Sequence, residues 1–350
     1  MTTTTPIATH YEQFLQLLTR DPRDTRGTSD TAHGRDAVHA RYGERVAPSG
    51  AAQPIVMTRD EWILNQIDLT LALDRLLTQD DVVVSAVPYE LSFIGAEMDR
   101  VIEMVGASVI SVGTSRTICP MPRLLDLIEQ YEVTALACSP SFAAELASLA
   151  LSQGQRPEDS TIRAVICAGE ACSTERLDRI GAVWAATTCA LYGTPTTPTT
   201  AVACEHGRLH LCGNRHRAEV RDGHRGELLL DGAPTGELVE LWPADRRCDC
   251  GAASRVLVPL GSLAAALPGP EGPVSAVDVE RIVFQHAGLA PHFACDSRAG
   301  VFHVTCAVAD PTTPADGALH RLIRGRIVDA LGVEAEVTVV DAKDWSTATS

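Results

Sequence analysis

From Thr58 to Tyr192 short β-branched runs alternate with longer stretches of helical apolar spacing. That alternation confines the chain to an α/β fold, a mostly parallel sheet with helices laid over it. The segment "TRDEWILNQIDLTLALDRLL" reads as a helix with Thr58 at its N-cap and acidic residues in the first turn. "DVVVSAVP", "SVISVG", "TALACSP" and "IRAVICAGE" read as buried strands. The helical patterns "FIGAEMDRVIEMVGA", "MPRLLDLIEQYEV", "FAAELASLALSQG" and "STERLDRIGAVW" separate and follow them, with Pro122 in a first turn and Ser173 or Thr174 as a cap.

Beyond Tyr192 the texture changes. Residues 200–258 hold short alternating runs such as "RLHL", "GELLLDG" and "GELVELW", which predict a small antiparallel or barrel-like β-element. After "LPGPEGP", helix, strand, helix and strand patterns predict a compact α+β end domain. The expected organisation is an N-terminal arm over 1–44, a large α/β domain over 45–258 that includes the β-element, and a small α+β C-terminal domain over 259–350. Residues 20–53, rich in Arg, Asp, Gly, Thr and Ser, read as loop or poorly ordered arm.

A net charge of −16 argues against nucleic acid or an anionic membrane as the main partner, because phosphate binding needs clustered positive charge. Apolar runs are too short to span a bilayer, and the first residues lack a basic stretch followed by an apolar one. A cytoplasmic protein is therefore expected. In that compartment the 11 cysteines are expected as core thiols and metal ligands instead of disulfides. The basic residues are 28 Arg and a single Lys, Lys343, so any chemistry that needs a lysine has one candidate.

Cys204, His210, Cys248 and Cys250 form the most specific chemical pattern in the chain. A Cys with a His six residues later, then a Cys-x-Cys pair further on, can close a tetrahedral S₃N zinc site, which would be structural in type. His206, Cys212 and His216 are spare donors. The competing reading is a set of unconnected thiols and surface histidines. His286, His292 and His303 show no partner spacing, and "RRCD" reads as a solvated turn. Hydrolase, zinc-protease and dinucleotide signatures are missing.

A series of further short motifs, taken in order, resembles the phenylacetate–CoA ligase branch of the adenylate-forming superfamily of acyl-CoA synthetase-like, AMP-binding enzymes. Members use ATP to turn a carboxylic acid into an acyl-adenylate and hand the acyl group to a thiol. The likeness runs from about Arg45 to about Lys343, and its motifs are degenerate. "VAPSGAAQP" stands where the family has a phosphate loop. Ser49 and Gly50 persist, but Ala51 and Ala52 replace threonines and Gln53 replaces a lysine. By itself this stretch would be an ordinary turn.

The resemblance further implies that Gly169, Glu170 and Ala171 line the nucleotide site at a strand end, where open α/β sheets bind ligands. Tyr192, Gly193 and Thr194 match the family's Tyr-Gly pair beside adenine, although a Tyr closing a strand also reads as plain core. Asp245 matches the aspartate that holds the ribose hydroxyls. Tyr89, Phe93, Ser139 and Ser141 match the part that shapes the acid's pocket, with an aromatic core as the alternative for Tyr89 and Phe93. Thr196 stands where the family carries a magnesium-holding glutamate, and a neutral hydroxyl is a weak ligand for that dication. Lys343 comes several residues earlier than the family's catalytic lysine.

Two principal functions follow as expectations. One is a reduced ligase that joins an aromatic or small carboxylic acid to CoA or to the pantetheine arm of an acyl carrier protein in secondary metabolism, using ATP and Mg²⁺ and holding a structural zinc. The other keeps the scaffold without ATP chemistry and binds an acyl compound, a carrier protein or an already activated acyl group. A subunit that regulates an intact ligase is a third, structural reading. Family members are often dimers, which makes a homodimer compatible with the resemblance.

Overall fold

The computed structural model describes residues 39–46, 51–194, 197–212, 216–221, 223–309 and 317–345. A hairpin of β1 (His39–Val46) and β2 (Ala52–Thr58) leads into α1 (Arg59–Leu73). There follow β3 (Val82–Ser85), α2 (Ile94–Val105), β4 (Ser108–Ser111), α3 (Met121–Gln130), β5 (Ala135–Cys138) and α4 (Pro140–Ser152). The run closes with β6 (Ala164–Cys167), α5 (Thr174–Trp184), β7 (Thr187–Thr194), β8 (Thr197–Ala203) and β9 (Leu209–Leu211). β3 to β9 form one sheet of seven strands in the order β4-β3-β5-β6-β7-β8-β9. The first five of these pair in parallel, while β8 and β9 add antiparallel.

Strand side chains alternate between two cores. Val83, Ala135 and Ile166 point to the side of α1 and α2, where Leu69, Leu73, Met98 and Ile102 are buried. Val84, Leu136 and Val165 point to the opposite side, against Leu124, Leu146 and Trp184 of α3, α4 and α5. Burial on both faces explains why these strands read as unbroken apolar runs. Thr58 closes a capping box with Glu61, as its position before an acidic turn predicts.

At the amino ends of the strands Asp81 replaces apolar packing with a polar clasp. Its carboxylate accepts from the Thr78 amide (2.7 Å), the Thr134 hydroxyl (2.6 Å) and the guanidinium of Arg163. The starts of β3, β5 and β6 are thereby tied at one point. Burial pushes the Asp81 carboxyl up, but Arg163 and Thr134 outweigh it, and the group titrates below the ordinary carboxylate range.

The β-element is a four-stranded antiparallel sheet of β10 (Ala218–Val220), β11 (Arg225–Leu230), β12 (Ala233–Leu241) and β13 (Leu257–Ser262). β13 pairs with β12 as far as Ser262, so this sheet runs past residue 258. The small unit has a core of its own, built from β14 (Leu267–Gly269), β15 (Gly272–Val274), α6 (Ala276–Phe284), β16 (Leu289–Arg298), β17 (Val301–Val308), α7 (Gly317–Leu331) and β18 (Glu334–Asp341). "LPGPEGP" is the β14–β15 hairpin. Residues 39–46 and 52–53, expected as loop or poorly ordered arm, are strand. Gly43, Ile55 and Met57 form the hairpin's inner face against Phe93, and Arg41 lies over the Trp62 ring at 4.6 Å.

The small unit seats on α4 and α5. His292 of β16 is buried, 2.6 Å from the Ser148 hydroxyl and stacked on Trp345 at 4.9 Å. Arg179 of α5 donates to the carbonyls of Phe284, His286 and Ala287, which the end of α6 leaves without helical partners. Desolvation, with Arg176 nearby, pulls the His292 imidazole from 6.5 down to about 4.

Two outcomes are expected in urea unfolding. Asp81→Ala should cost about 2 kcal/mol at neutral pH, since several donors lose one acceptor while Arg163 regains water. That difference should shrink as pH falls through the carboxylate range, where the lowered pKa of Asp81 makes its contribution disappear. For His292 the depressed folded pKa means that the unfolded chain takes up a proton first. Stability should therefore fall between the ordinary value of 6.5 and about 4, and His292→Gln should flatten that slope by about one proton.

Candidate functional site

The sheet order fixes where a ligand can enter. β3 and β5 are neighbours, yet the chain leaves β3 toward α2 on one face and leaves β5 toward α4 on the other. Open α/β sheets bind ligands in the crevice that this reversal opens at the carboxyl ends of the strands. Tyr89 follows β3, Ser139 and Ser141 follow β5, and Gly169, Glu170 and Ala171 follow β6. The structure thus brings these sequence-predicted residues to adjacent strand ends.

Each is held by local chemistry. The Tyr89 phenol is 2.5 Å from Asp99 and 2.9 Å from the Ser85 hydroxyl, and Ser111 donates to the same Asp99 carboxylate at 2.7 Å. Burial and the Asp99 charge push the phenol up to about 12. Gly95 is required beneath it, because a Cβ there would meet the Tyr89 ring and the Pro88 carbonyl at 2.7 Å. Ser139 caps α4, accepting from the Phe142 amide at 3.2 Å. Glu170 accepts from both the amide (3.2 Å) and the hydroxyl (2.7 Å) of Ser141. Gly169 turns with φ +89° and has open space where a Cβ would stand, so the backbone is accessible to a ligand.

Other predicted residues lie elsewhere. Phe93 is buried against Ile55 and Met57 and anchors the hairpin. Tyr192 packs its ring among Leu228, Val239 and Leu257 in the core of the β-element, and its hydroxyl is buried without a hydrogen-bond partner. Gly193 is exposed, while the Thr194 hydroxyl accepts from the Thr197 amide across the β7–β8 turn. Asp245 is exposed in the β12–β13 loop. Lys343 is exposed and pairs with Asp341 at 3.4 Å. Ser49, Gly50 and Thr196 lie outside the described residues. Gln53, in the phosphate-loop segment, accepts from Arg45 at 3.0 Å across the hairpin.

Residues that sequence reasoning missed hold the site from behind. Arg176, on the buried face of α5, donates to the Ser141 hydroxyl (3.0 Å), to Glu280 of α6 (3.1 Å) and to the Pro291 carbonyl (2.8 Å). Glu280 also accepts from the Ser173 amide. The available signal was an arginine in step with Ile180 and Trp184 on an otherwise apolar helical stripe.

The proposed metal ligands do converge. One donor atom each from Cys204, His210, Cys248 and Cys250 lies within 4.8 Å of all the others. Cys204 Sγ and Cys248 Sγ are 3.8 Å apart and Cys250 Sγ is 3.3 Å from His210 Nε2. Tetrahedral zinc with bonds of about 2.3 Å to sulfur spaces its sulfurs at about 3.8 Å, so the donor set fits. His210 Nδ1 lies 3.0 Å from the Ser254 carbonyl, which fixes the proton there and leaves Nε2 for the metal. His216 is engaged with Asp231 at 2.8 Å. A cavity of about 530 Å³ beside this cluster is also lined by Asp68 of α1 and by Arg75, just beyond the end of that helix.

The AMP-binding enzyme family model matches residues 55–240, more than half of the chain. The chain belongs to the AMP-binding enzyme family. No curated protein matches it in sequence. Among solved structures it is similar to 2-hydroxyisobutyryl-CoA ligase with 2-HIB-AMP, in the postadenylation state (TM-score 0.72, 16% identity, 91% of this chain and 75% of that one). It is also similar to an anthranilate CoA ligase with anthranoyl-AMP (0.61, 14%, 87% and 63%). A third is O-succinylbenzoate coenzyme A synthetase from Bacillus subtilis with AMP (0.57, 15%, 87% and 66%). At these identities the likeness is one of fold: a mostly parallel α/β body, a β-element and a small α+β unit.

Metal analysis checks the cluster directly. The purified AMP-binding protein should carry about one zinc per chain, Cys250→Ser should reduce this to near zero, and Cys212→Ser should leave it unchanged.

Proposed function

We propose that this family member activates an aromatic or small carboxylic acid with ATP and transfers the acyl group to a thiol, in the manner of the phenylacetate–CoA ligase branch. The acid's carboxylate oxygen attacks the α-phosphorus of ATP, giving an acyl-adenylate and releasing pyrophosphate. A thiol then attacks the acyl carbon, the thioester forms and AMP leaves. The acceptor is CoA or the pantetheine of a carrier protein. The observation that supports this reading is the position of Tyr89, Ser139, Ser141, Gly169 and Glu170 after neighbouring strands, where the sheet order reverses, within a chain of this family.

In this assignment the loops of Tyr89 and Ser139 to Ser141 form the wall against the acid. The open side of Gly169 lets the nucleotide approach the backbone, with Glu170 held still by Ser141. Mg²⁺ would arrive with the ATP phosphates, but Thr196 provides no carboxylate for it. The zinc would act structurally, pinning the turn before β9 to the β12–β13 loop, and takes no part in the reaction.

A second reading is favoured by the cations. Gln53 replaces the loop lysine and Lys343 is paired with Asp341. On that reading the crevice takes an acyl compound or an acyl group activated elsewhere. Pyrophosphate release over a panel of aromatic and short aliphatic acids separates the two. At least one acid should raise ATP-dependent release about tenfold or more above the acid-free rate. Silence across the panel from folded, zinc-loaded protein overturns the ligase reading. Calorimetric binding of an acyl-adenylate mimic but not of Mg-ATP would then support the second.

A further inference from the structure

Arg176 stands between two carboxylates that belong to different parts of the molecule. On one side is Glu280 of the small unit, at 3.1 Å. On the other is Glu170 of the candidate site, at 3.9 Å from the same nitrogen. Only 3% of the arginine side chain is exposed. A guanidinium keeps its charge in any protein setting, and burying it demands an anion and filled N–H positions. In the docked arrangement Glu280 and the Pro291 carbonyl, both from the small unit, meet that demand together with the Ser141 hydroxyl.

Loosening the seat of the small unit removes two of those three partners. The nearest remaining anion is the Glu170 Oε2 atom, which now accepts from the amide and hydroxyl of Ser141. Arg176 and Ser141 therefore compete for one oxygen, and the outcome depends on whether Glu280 is in place. We infer that Arg176 is a positioning residue that couples seating of the small unit to the grip of Ser141 on Glu170. With the unit seated, Arg176 binds Glu280 and Glu170 rests on Ser141. With the unit released, Arg176 draws Glu170 off Ser141 and the wall of the crevice changes shape. Linkage makes the effect reciprocal: a ligand that prefers Glu170 on Ser141 tightens the seating by the same factor.

The functional meaning rests on the ligase-type site proposed above, but the coupling itself is testable without substrates. Ser141 lies in the first turn of α4, so its amide has no partner within the helix, and Glu170 is the partner the structure gives it. Its hydrogen exchange reports the Glu170 position and does not sense Glu280 directly. Residue-resolved exchange is compared in the wild type, Glu280→Gln, and Arg176→Met combined with Glu280→Gln. Glu280→Gln should speed exchange at Ser141 about tenfold. The double variant should return Ser141 to the wild-type rate although α6 and β16 exchange fast in both. A merely structural role for the ion pair moves both variants alike.

Unchanged Ser141 exchange in Glu280→Gln overturns the inference, as does a double variant as fast as the single one. Should Glu280→Gln not fold, His292→Gln loosens the same seat from the α4 side. That variant should speed Ser141 exchange about threefold, and no change there overturns the coupling equally. No acid or ATP is present in these experiments, so their failure leaves the ligase reading intact. Failure of the pyrophosphate assay likewise leaves the exchange result standing.

Discussion

A positive charge with almost no access to water organises the junction between the two halves of this protein. Arg176 is satisfied only where α5, the start of α4, α6 and the beginning of β16 all meet. Removing one partner of such a pair costs several times more than an exposed salt bridge contributes, because the other charge is left stranded. The small unit adds neutral contacts around the same seat through His292, Trp345 and the carbonyls bound by Arg179. These polar contacts are directional, and they stand beside an apolar seam where Val277 of α6 packs on Leu238 and Leu260 of the β-element. Arg176 thus links the start of α4 directly to the small unit.

The β-element solves a different problem. Cys204, Trp242, Cys248 and Val256 make up a core too small to hold two loops in register. Arginines help: Arg246 lies 3.5 Å above the Trp242 ring, and Arg247 and Arg255 donate to loop carbonyls. A tetrahedral ion bound by the thiolates and the oriented imidazole would supply the rest. The stretch "RRCD", read as a solvated turn, does expose both arginines, which also brace the loop through the Trp242 ring and the Ala253 carbonyl.

Much of the large domain was legible because each signal was local and repeated. Two-sided burial makes apolar strands, and caps such as Thr58 and Ser173 mark helix starts within one residue of the chemistry that produces them. The four converging donors, Cys204, His210, Cys248 and Cys250, were readable for a related reason: coordination admits few residue types at few spacings. What the sequence hid depends on pairing across long separations. The β1–β2 hairpin shows no clean alternation, since Ile55, Val56 and Met57 are consecutive, and it packs on Phe93 and Trp62 outside it. β16 was missed because "LAPHFACDSR" has no alternation until β17 lies beside it. Arg176 and Glu280 look like faults in two apolar stripes until the helices face each other. Tyr192 shows the limit of motif order, since its place in the chain suggested a ligand contact while its ring fills the β-element's core.

Lys343 is the chain's sole lysine, and its side chain is 70% exposed two positions before buried Trp345. Reagents that acylate amines therefore have a single side-chain target, beside the indole that stacks on His292. A quencher or dye coupled there would sense the indole's fluorescence at short range. The arginine-rich composition thus leaves this molecule with a built-in attachment point for optical study of how its smaller part sits on the rest.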